Sequence, residues 1–180
     1  MSDIYKRIDR RLVHKGAILD YYEDTMQIPN GKTALWDFIG HKGAAAVVAV
    51  LDDGRLLMVR QYRNALERET VEIPAGGRDG VDEPFINCAH RELEEETGYT
   101  CDKDSMEFLI SIYTTVAFCN ERIDVFVAKD LKKTHQHLDE DEYVDVAAYS
   151  VDELVSMIYE GRLQDSKTVA SILAYKNKYC

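Results

Sequence analysis

The sequence predicts an α+β fold, in which many short strands accompany a few separated helices. Stretches of apolar or alternating residues recur along the chain between turn residues, a pattern that is typical of strands. Helix start and stop signals occur in only three regions, so helices are expected to be few. At 180 residues, the chain is long enough to bury a core without disulfides or a structural metal.

The N-terminal residues predict antiparallel strands joined by tight turns. The stretch GAILDYYEDTMQI, residues 16–28, mixes polar and apolar side chains as a strand with one solvent-facing side does. Pro29-Asn-Gly-Lys32 follows, and its Asn-Gly pair supplies the positive φ that a hairpin turn needs. We expect residues 1–42 to form an N-terminal strand segment and residues 43–180 to form the main domain.

The main domain opens with a predicted buried strand over residues 44–51, where every residue is apolar. The turn Asp52-Asp53-Gly54 returns the chain into a strand over 55–62. A short strand over 70–73 then leads into a loop over 74–80. Later strands are predicted near residues 108–113, 123–128 and 143–149.

Capping signals predict three helices. The first covers about residues 84–97 and ends at Gly98, because glycine readily takes the left-handed conformation after a helix. The second covers about 150–161 and opens with Ser-Val-Asp-Glu, which fits a capping box. The third covers about 165–176.

The charge and composition of the chain indicate which kinds of molecule it binds. A net charge of −11 argues against general affinity for nucleic acids or anionic membranes. It leaves a phosphorylated substrate possible, because a bound divalent metal reverses the local field. The start of the chain lacks the apolar core of a secretory signal, and the apolar run at 44–51 is too short to span a bilayer. The four cysteines show no metal-ligand spacing, so reduced thiols and a cytoplasmic location are expected.

The first predicted helix collects negative charge where charge is usually avoided. At about 100° per residue, Glu92, Glu95 and Glu96 share one face. That face adjoins an apolar stripe containing Leu93. Like charges four residues apart cost about 0.2–0.5 kcal/mol on an exposed helix, and more near a core unless a cation lies between them. Either Mg²⁺ binds these carboxylates, as its preference for oxygen ligands allows, or the helix is simply a solvated acidic surface.

The spacing of residues in and before that helix favours metal binding over a solvated acidic surface. Gly77 is followed after five residues by Glu83, and after seven more by Arg91-Glu92-Leu93-x-Glu95-Glu96-x-Gly98-Tyr99. This pattern resembles the Nudix box of the Nudix hydrolases. Relatives usually begin the box at the glycine of Pro-Ala-Gly, here Gly76, in which case Asp82 would take the first acidic position.

The resemblance implies a fold, an activity and a set of site residues. Nudix hydrolases are αβα sandwiches with a mixed sheet, and they use Mg²⁺ or Mn²⁺ to cut a nucleoside diphosphate linked to another moiety. The implied metal ligands are the backbone carbonyl of Gly76 (or Ala75) and the carboxylates of Glu92, Glu95 and Glu96. The residues implied to shape the box are Gly77, Glu83, Arg91 and Gly98, with Arg91 and Glu83 as an ion pair.

Further segments resemble the ADP-ribose pyrophosphatase branch of that family. They are Val59-Arg-Gln-Tyr-Arg63, Glu69-Thr-Val-Glu-Ile-Pro-Ala-Gly76, Pro29-Asn-Gly-Lys-Thr33, His41-Lys-Gly-Ala44 and Asp165-Ser-Lys-Thr168. The resemblance implies substrate binding by Trp36, Arg63 and Glu72. A guanidinium suits diphosphate oxygens and an indole suits a base face. The alternatives are that Arg63 forms a salt bridge with Glu69 or Glu72, and that Trp36 packs at a sheet edge or dimer contact.

The expected catalytic residues are Glu95, Glu96 and Glu121. Glu121 lies in a loop where the branch carries a glutamate that binds metal or activates the water; the alternative is a solvent-facing acid. Val116 stands in this loop where the branch has a proline, and valine does not pre-set the same turn. Hydrolysis of GDP-mannose or another nucleotide sugar is therefore the main alternative to ADP-ribose.

The leading hypothesis is Mg²⁺-dependent hydrolysis of ADP-ribose to AMP and ribose 5-phosphate. Two other functions are alternatives to it: a non-catalytic module that binds ADP-ribose, and an enzyme that removes oxidised nucleoside triphosphates. The N-terminal strands would leave sheet edges exposed on a monomer, and related enzymes exchange this segment between subunits, so a homodimer is expected. His135-Gln-His137 is interpreted as a polar loop, and the acidic run 139–142 as a solvated turn.

Overall fold

The computed structural model describes residues 4–17, 19–138 and 142–180. The chain divides into two compact units. The strand unit contains Met1–Gly43 and Tyr113–Arg122, and the main unit contains Ala44–Ile112 and Ile123–Cys180. Most of the acidic run predicted as a turn, residues 139–141, lies outside the described residues.

Across the described residues, the chain forms twelve strands and three α-helices. The strands are β1 (Lys6–Lys15), β2 (Asp20–Gln27), β3 (Thr33–Gly40), β4 (Ala44–Val50), β5 (Leu56–Arg63), β6 (Arg68–Glu72), β7 (Ala75–Gly77), β8 (Tyr99–Thr100), β9 (Glu107–Tyr113), β10 (Arg122–Ala128), β11 (Lys132–Lys133) and β12 (Asp145–Tyr149). The helices are α1 (Phe85–Thr97), α2 (Val151–Tyr159) and α3 (Ser166–Tyr179). No helix in these ranges is long and apolar enough to cross a membrane.

The strand unit is built on the antiparallel sheet β1-β2-β3. The predicted Asn-Gly turn joins β2 to β3, and Gly31 has the expected positive φ of 79°. Arg10 binds both carboxylate oxygens of Asp24 at 2.6 Å and lies 3.6 Å above the ring of Phe38. Because Arg10 neutralises its charge, Asp24 can be buried within a small sheet.

The main unit contains a mixed sheet in the order β12-β5-β4-β10-β9, with β6 beside β5 and β7 beside β4. Strands β4 and β10 run parallel, whereas β5 pairs antiparallel with β4, β6 and β12. Every residue of β4 is buried, as its apolar sequence predicts. A central strand covered on both faces reads as a continuous apolar run rather than an alternating one.

Helices cover both faces of this sheet. Alternate β4 residues divide between two core clusters: Val47 packs with Leu93 of α1, and Val48 packs with Leu154 of α2 and Ile172 of α3. Each such buried side chain contributes roughly 1.5–3 kcal/mol to folding. The resulting αβα layers confirm the predicted fold class.

Candidate active site

Helix α1 carries its acidic face at the margin of the core. Glu92 is 8% exposed and Glu96 is 4% exposed, whereas Glu95 is half-buried. Leu93, between them in sequence, is fully buried and fixes the rotation of the helix on the sheet. The helix therefore forces two carboxylates into a poorly solvated place, which is costly for charged groups without a partner.

Strand β7 supplies polar backbone atoms to this acidic face. The Ala75 backbone N–H donates to a carboxylate oxygen of Glu96 over 2.8 Å. The Cys88 thiol donates to the carbonyl oxygen of Gly76 over 3.4 Å. A Cβ built on Gly76 would overlap the carboxylate of Glu92, so only glycine permits this close approach.

Arg91 connects the acidic residues to the loop that precedes α1. Its Nη1 donates to Glu92 over 2.7 Å and to Glu95 over 2.9 Å, and its Nη2 donates to the Gly77 carbonyl over 3.0 Å. Its Nε lies 3.5 Å from a carboxylate oxygen of Glu83. Glu83 is half-buried and also accepts a hydrogen bond from the Asp79 backbone N–H at 2.7 Å. The Glu83 carboxylate therefore lies within ion-pair distance of Arg91.

Burial changes the protonation of the two inner glutamates. Desolvation raises the pKa of Glu92 to about 7, against the lowering effect of Arg91. Desolvation also raises the pKa of Glu96 to about 8, although its hydrogen bond from Ala75 acts in the opposite direction. The neighbouring Cys88 thiol is desolvated too, with its pKa raised to about 12, so it stays protonated and unreactive near neutral pH.

These side chains offer suitable atoms for a divalent cation but are not arranged around one. In the described parts of the chain, no group of three or more His, Cys, Asp or Glu side chains is positioned to hold a metal ion. The guanidinium of Arg91 instead lies between Glu92 and Glu95 and supplies the opposite charge. The donors nevertheless fit Mg²⁺, because carboxylate and carbonyl oxygens are its preferred ligands. We call Glu92, Glu95, Glu96 and the Gly76 carbonyl the acidic site.

Arg63 is held by a buried carboxylate. Its Nε and Nη2 donate to the two oxygens of Glu72 over 2.7 and 2.6 Å. Glu72 is 1% exposed and also accepts hydrogen bonds from Lys167 and Thr70. The salt bridge considered as an alternative for Arg63 is therefore present. Glu72, predicted among the substrate-binding residues, is buried and holds the guanidinium of Arg63 in place.

The positive groups around Glu72 stabilise its ionised form. Desolvation alone would raise its pKa, but the hydrogen bonds from Arg63 and the charge of Lys167 lower it to about 2. Lys167 also donates to Asp165 over 2.9 Å. Sequence reasoning did not identify Lys167 as part of this network, because only the fold brings the start of α3 beside β6.

The start of α3 also fixes the strand that leads to the acidic site. Asp165 caps the helix by accepting a hydrogen bond from the Thr168 backbone N–H at 3.0 Å. The Thr168 hydroxyl in turn accepts one from the Ile73 backbone N–H at 3.0 Å. The motif Asp165-Ser-Lys-Thr168 thereby joins α3 to the segment between β6 and β7.

Two of the predicted site residues, Trp36 and Glu121, belong to the strand unit. Trp36 is 46% exposed, with the ring of Tyr5 at 5.8 Å. One oxygen of Glu121 accepts a hydrogen bond from the Thr114 hydroxyl at 2.7 Å, and the other lies 3.6 Å from Nδ1 of His41. Val116, which replaces the usual proline, is 81% exposed.

Glu142 is an acidic residue of the main unit and the last member of the run predicted as a solvated turn. It is exposed, and its charge adds to the causes that raise the pKa of Glu92 and Glu96. Desolvation is the largest cause of both shifts, and the charge of Glu142 is a minor one. A run of acids before a strand carries no local signal for such a role, because solvated turns look the same.

Comparisons with known proteins show which family the chain matches. The model of the NUDIX domain matches residues 40–172. Over 169 residues, the chain is 41% identical to a methanol dehydrogenase activator from Bacillus methanolicus and 38% identical to an ADP-ribose pyrophosphatase from Bacillus subtilis (strain 168). Each alignment covers 93% of this chain and 90% of the relative.

Among solved structures, an ADP compounds hydrolase superposes with a TM-score of 0.83. The alignment covers 96% of this chain and 92% of that chain. At 17% identity, this likeness shows that the two proteins share a fold.

Proposed function

This chain belongs to the NUDIX family of hydrolases, and from that premise we propose that it cleaves the pyrophosphate bond of ADP-ribose or a related nucleoside diphosphate sugar with Mg²⁺. With ADP-ribose, the products would be AMP and ribose 5-phosphate. The observation that carries the proposal is the burial of Glu92 and Glu96 against the Gly76 backbone. Buried carboxylates on a shared face are tolerated when a cation and an anionic ligand complete the site.

Each residue of the acidic site has a proposed task. Glu92, Glu95, Glu96 and the carbonyl of Gly76 would hold Mg²⁺, with Mn²⁺ as a possible substitute. The bound metal would neutralise diphosphate oxygens and orient a water molecule. Arg91 Nη1 binds one oxygen of Glu92 and one of Glu95, so a cation would either use the second oxygen of each carboxylate or displace this donor.

Arg63 is proposed to bind the diphosphate. Two of its donors are used by Glu72, which fixes the orientation of the guanidinium, and the side chain remains partly exposed. A guanidinium that is already held in place loses little entropy when it binds an anion. Trp36 is proposed to stack on the nucleobase, since its indole is exposed within the strand unit.

Proton removal from the attacking water needs a carboxylate that is not fully occupied. We propose Glu95, Glu96 and Glu121 as catalytic residues, and Glu142 is a further carboxylate to test, because its charge is a minor cause of the raised pKa of Glu92 and Glu96. Glutamine replacements of Glu121 and Glu142, compared at saturating substrate, would show which of these two is needed. The general base should lose orders of magnitude in kcat while substrate KM changes little.

The exposed Val116 favours a second candidate substrate class, GDP-mannose or another nucleotide sugar. A screen of nucleotide sugars, with a phosphatase added to release phosphate from the products, separates the candidates. We expect the highest kcat/KM for ADP-ribose. A higher value for GDP-mannose would overturn that assignment and leave pyrophosphate hydrolysis in place.

Glu95→Gln and Glu96→Gln distinguish an enzyme from a non-catalytic binding module. Both variants should remain folded and lose orders of magnitude in kcat. If the wild type turns over neither nucleotide sugars nor oxidised nucleoside triphosphates yet binds ADP-ribose, the protein is a binding module.

We also propose a homodimer formed through the strand unit, in the cytoplasm. Large apolar side chains are exposed on its strands, among them Ile8, Leu12 and Leu35, and such surfaces often mark interfaces. The four cysteines are free thiols, which fits a reducing compartment. Light scattering at micromolar concentration should give twice the mass of one chain, and a monomer mass would contradict this proposal.

A further inference from the structure

The first turn of α3 contains a buried lysine. Lys167 is 9% exposed, and lysine is rarely buried unless its charge is paired. The position is also unfavourable for the helix, because the N-terminal end of a helix carries a partial positive charge. A lysine that is both desolvated and placed at the positive end of a helix has to be stabilised by contacts beyond the helix itself.

The main contact of this lysine outside α3 is the buried carboxylate of Glu72. Nζ of Lys167 donates to Oε2 of Glu72, and also to Asp165 over 2.9 Å. The hydroxyl of Thr70, which is buried as well, donates to the other oxygen, Oε1 of Glu72, over 2.6 Å. The Glu72 carboxylate is therefore held through both oxygens, on one side by α3 and on the other by its own strand, β6.

The same two oxygens orient the guanidinium of Arg63. Oε1 of Glu72 accepts from Nε of Arg63, and Oε2 accepts from Nη2. A guanidinium has five N–H donors, so within the described parts of the chain this pairing leaves three for another ligand. Because the guanidinium is planar and rigid, the plane of the carboxylate sets the direction in which those three donors point. The side chain of Arg63 is 41% exposed, so these donors are accessible to an anion.

We propose that Lys167 and Thr70 are positioning residues for Arg63: by fixing the Glu72 carboxylate, they hold the guanidinium in the orientation that binds the diphosphate of the substrate. This proposal rests on the proposed function, because it takes Arg63 as a diphosphate-binding residue. Without Lys167, the carboxylate would still bind Arg63 but would lose its attachment to α3, so the pair would turn together. Although desolvation raises the pKa of Glu72, Arg63 and Lys167 lower it to about 2, which agrees with a permanently ionised carboxylate at this place.

Lys167→Met tests the attachment to α3, since methionine is also unbranched but cannot donate a hydrogen bond. Lys176→Met is the matched control, because Lys176 lies on the same helix and also pairs with a carboxylate, that of Asp152, over 2.8 Å. We expect Lys167→Met to raise KM for ADP-ribose by about five- to tenfold and to keep kcat within about twofold, because a misdirected guanidinium weakens the binding of substrate and transition state alike. Lys176→Met should match the wild type. A wild-type KM in folded Lys167→Met, or a loss confined to kcat, would overturn the role of Lys167.

Thr70→Val tests the hydrogen bond to the other oxygen of Glu72, because valine keeps the branched shape of threonine and lacks its hydroxyl. It should raise KM for ADP-ribose by about threefold, less than Lys167→Met does, since a hydroxyl is a weaker donor to a carboxylate than an ammonium. Circular dichroism shows whether each variant is folded, and Thr70→Val keeps the proposal testable if Lys167→Met is not. A wild-type KM in Thr70→Val would contradict the part assigned to Thr70.

A binding titration separates positioning from a general loss of structure. The probe is the α,β-methylene analogue of ADP, whose bridging carbon resists hydrolysis, and isothermal titration calorimetry in the presence of Mg²⁺ gives its Kd. This Kd should rise several-fold in Lys167→Met and stay at the wild-type value in Lys176→Met. The Kd for Mn²⁺, measured by electron paramagnetic resonance, should not rise in either variant, because Lys167 bonds to Glu72 and Asp165 rather than to the acidic site. A parallel loss of Mn²⁺ affinity in Lys167→Met would overturn the proposal.

A double-mutant cycle with Arg63→Lys tests whether Lys167 acts through Arg63. Lysine at this position keeps a positive charge beside Glu72 but lacks the planar set of donors. Once Arg63 is replaced, Lys167→Met should change the Kd of the ADP analogue little. Independent, multiplicative losses would overturn the proposal, and so would an Arg63→Lys variant with the wild-type Kd. Wild-type protein that binds the analogue but hydrolyses no nucleotide sugar would instead contradict the proposed function, while the Kd values would still decide the role of Lys167.

Discussion

Glu92 and Glu96 show that burial, more than mutual repulsion, controls charge in this site. Desolvation is the largest cause of the raised pKa of both residues. A folded-state pKa above the ordinary 4.5 means that the folded protein binds more protons than the unfolded chain. In the metal-free protein, this contribution to stability is present below about pH 4.5 and is lost as the pH rises through about 7 and 8.

The first prediction concerns stability against pH. The Tm of the metal-free protein should fall between pH 6 and pH 8.5, at roughly 2–4 °C for each kcal/mol lost. Glu96→Gln should flatten that fall, because its amide carries no charge at any of these pH values. Added Mg²⁺ should raise Tm more at pH 8 than at pH 6, since the ligands must be deprotonated to bind it. Differential scanning calorimetry measures all three, and a wild-type Tm that rises through this range would contradict the account.

Glu72 represents the opposite case, a buried carboxylate with its pKa lowered to about 2. Its stabilising contribution is present above about pH 4.5 and is lost as the pH falls toward 2. Glu72→Gln should lower the free energy of unfolding by about 3–5 kcal/mol at neutral pH, because it removes the buried carboxylate shared by Arg63 and Lys167 and leaves Lys167 with Asp165 alone.

Urea denaturation measures the cost of Glu72→Gln, and Glu69→Gln is the control on the same strand, where the side chain is exposed. The double variant Glu72→Gln with Lys167→Met should recover much of the lost stability, since it removes the buried ammonium that has lost the Glu72 carboxylate. A single variant as stable as the wild type would show that the network does not support the fold.

At the scale of elements, the contact between β7 and α1 makes a specific demand on residue 76. Gly76→Ala should lower kcat by about 100-fold, because its Cβ would displace the Glu92 carboxylate by an ångström or more. Gly80→Ala is the control, since a Cβ there meets nothing within 4 Å. Steady-state kinetics, with circular dichroism to confirm folding, would test this. Equal activity in the two variants would contradict the close approach.

The elements that sequence could predict are those with a local signal. Helix α1 ends at the predicted glycine, β4 is the predicted apolar run, and α2 begins with the predicted capping box. The two-residue strands β8 and β11 were missed, and β7 lies within a predicted loop. These short strands depend on partners distant in sequence, as in the pairing of Lys132 with Thr100.

The candidate site divides in the same way. The placement of Glu92, Glu95 and Glu96 on one helix was predictable, because their spacing is a local property of the sequence. The burial of Glu72 by Lys167 and the attachment of Gln136 to the end of α1 join residues far apart in the chain. No periodicity in the sequence encodes such pairs, so they became visible only once the fold was known.

At the scale of the whole molecule, the comparisons establish the family and the fold of this chain. The identity of its substrate depends on the residues of the candidate site. Proteins that share a fold can differ in activity, and here the relatives include an activator as well as a pyrophosphatase. The net charge of −11 repels a nucleoside diphosphate at long range. Binding therefore has to depend on local positive charge, which Arg63 and a bound divalent cation would supply.

The central claim is that the buried glutamates of α1 serve a divalent cation during hydrolysis. The most direct measurement is the turnover of ADP-ribose by wild-type protein after chelation, followed over increasing free Mg²⁺, with Glu96→Gln treated identically. We predict that chelation abolishes turnover, that Mg²⁺ restores it in a saturable way, and that Glu96→Gln stays inactive at every concentration. Turnover that persists unchanged after chelation would contradict the claim.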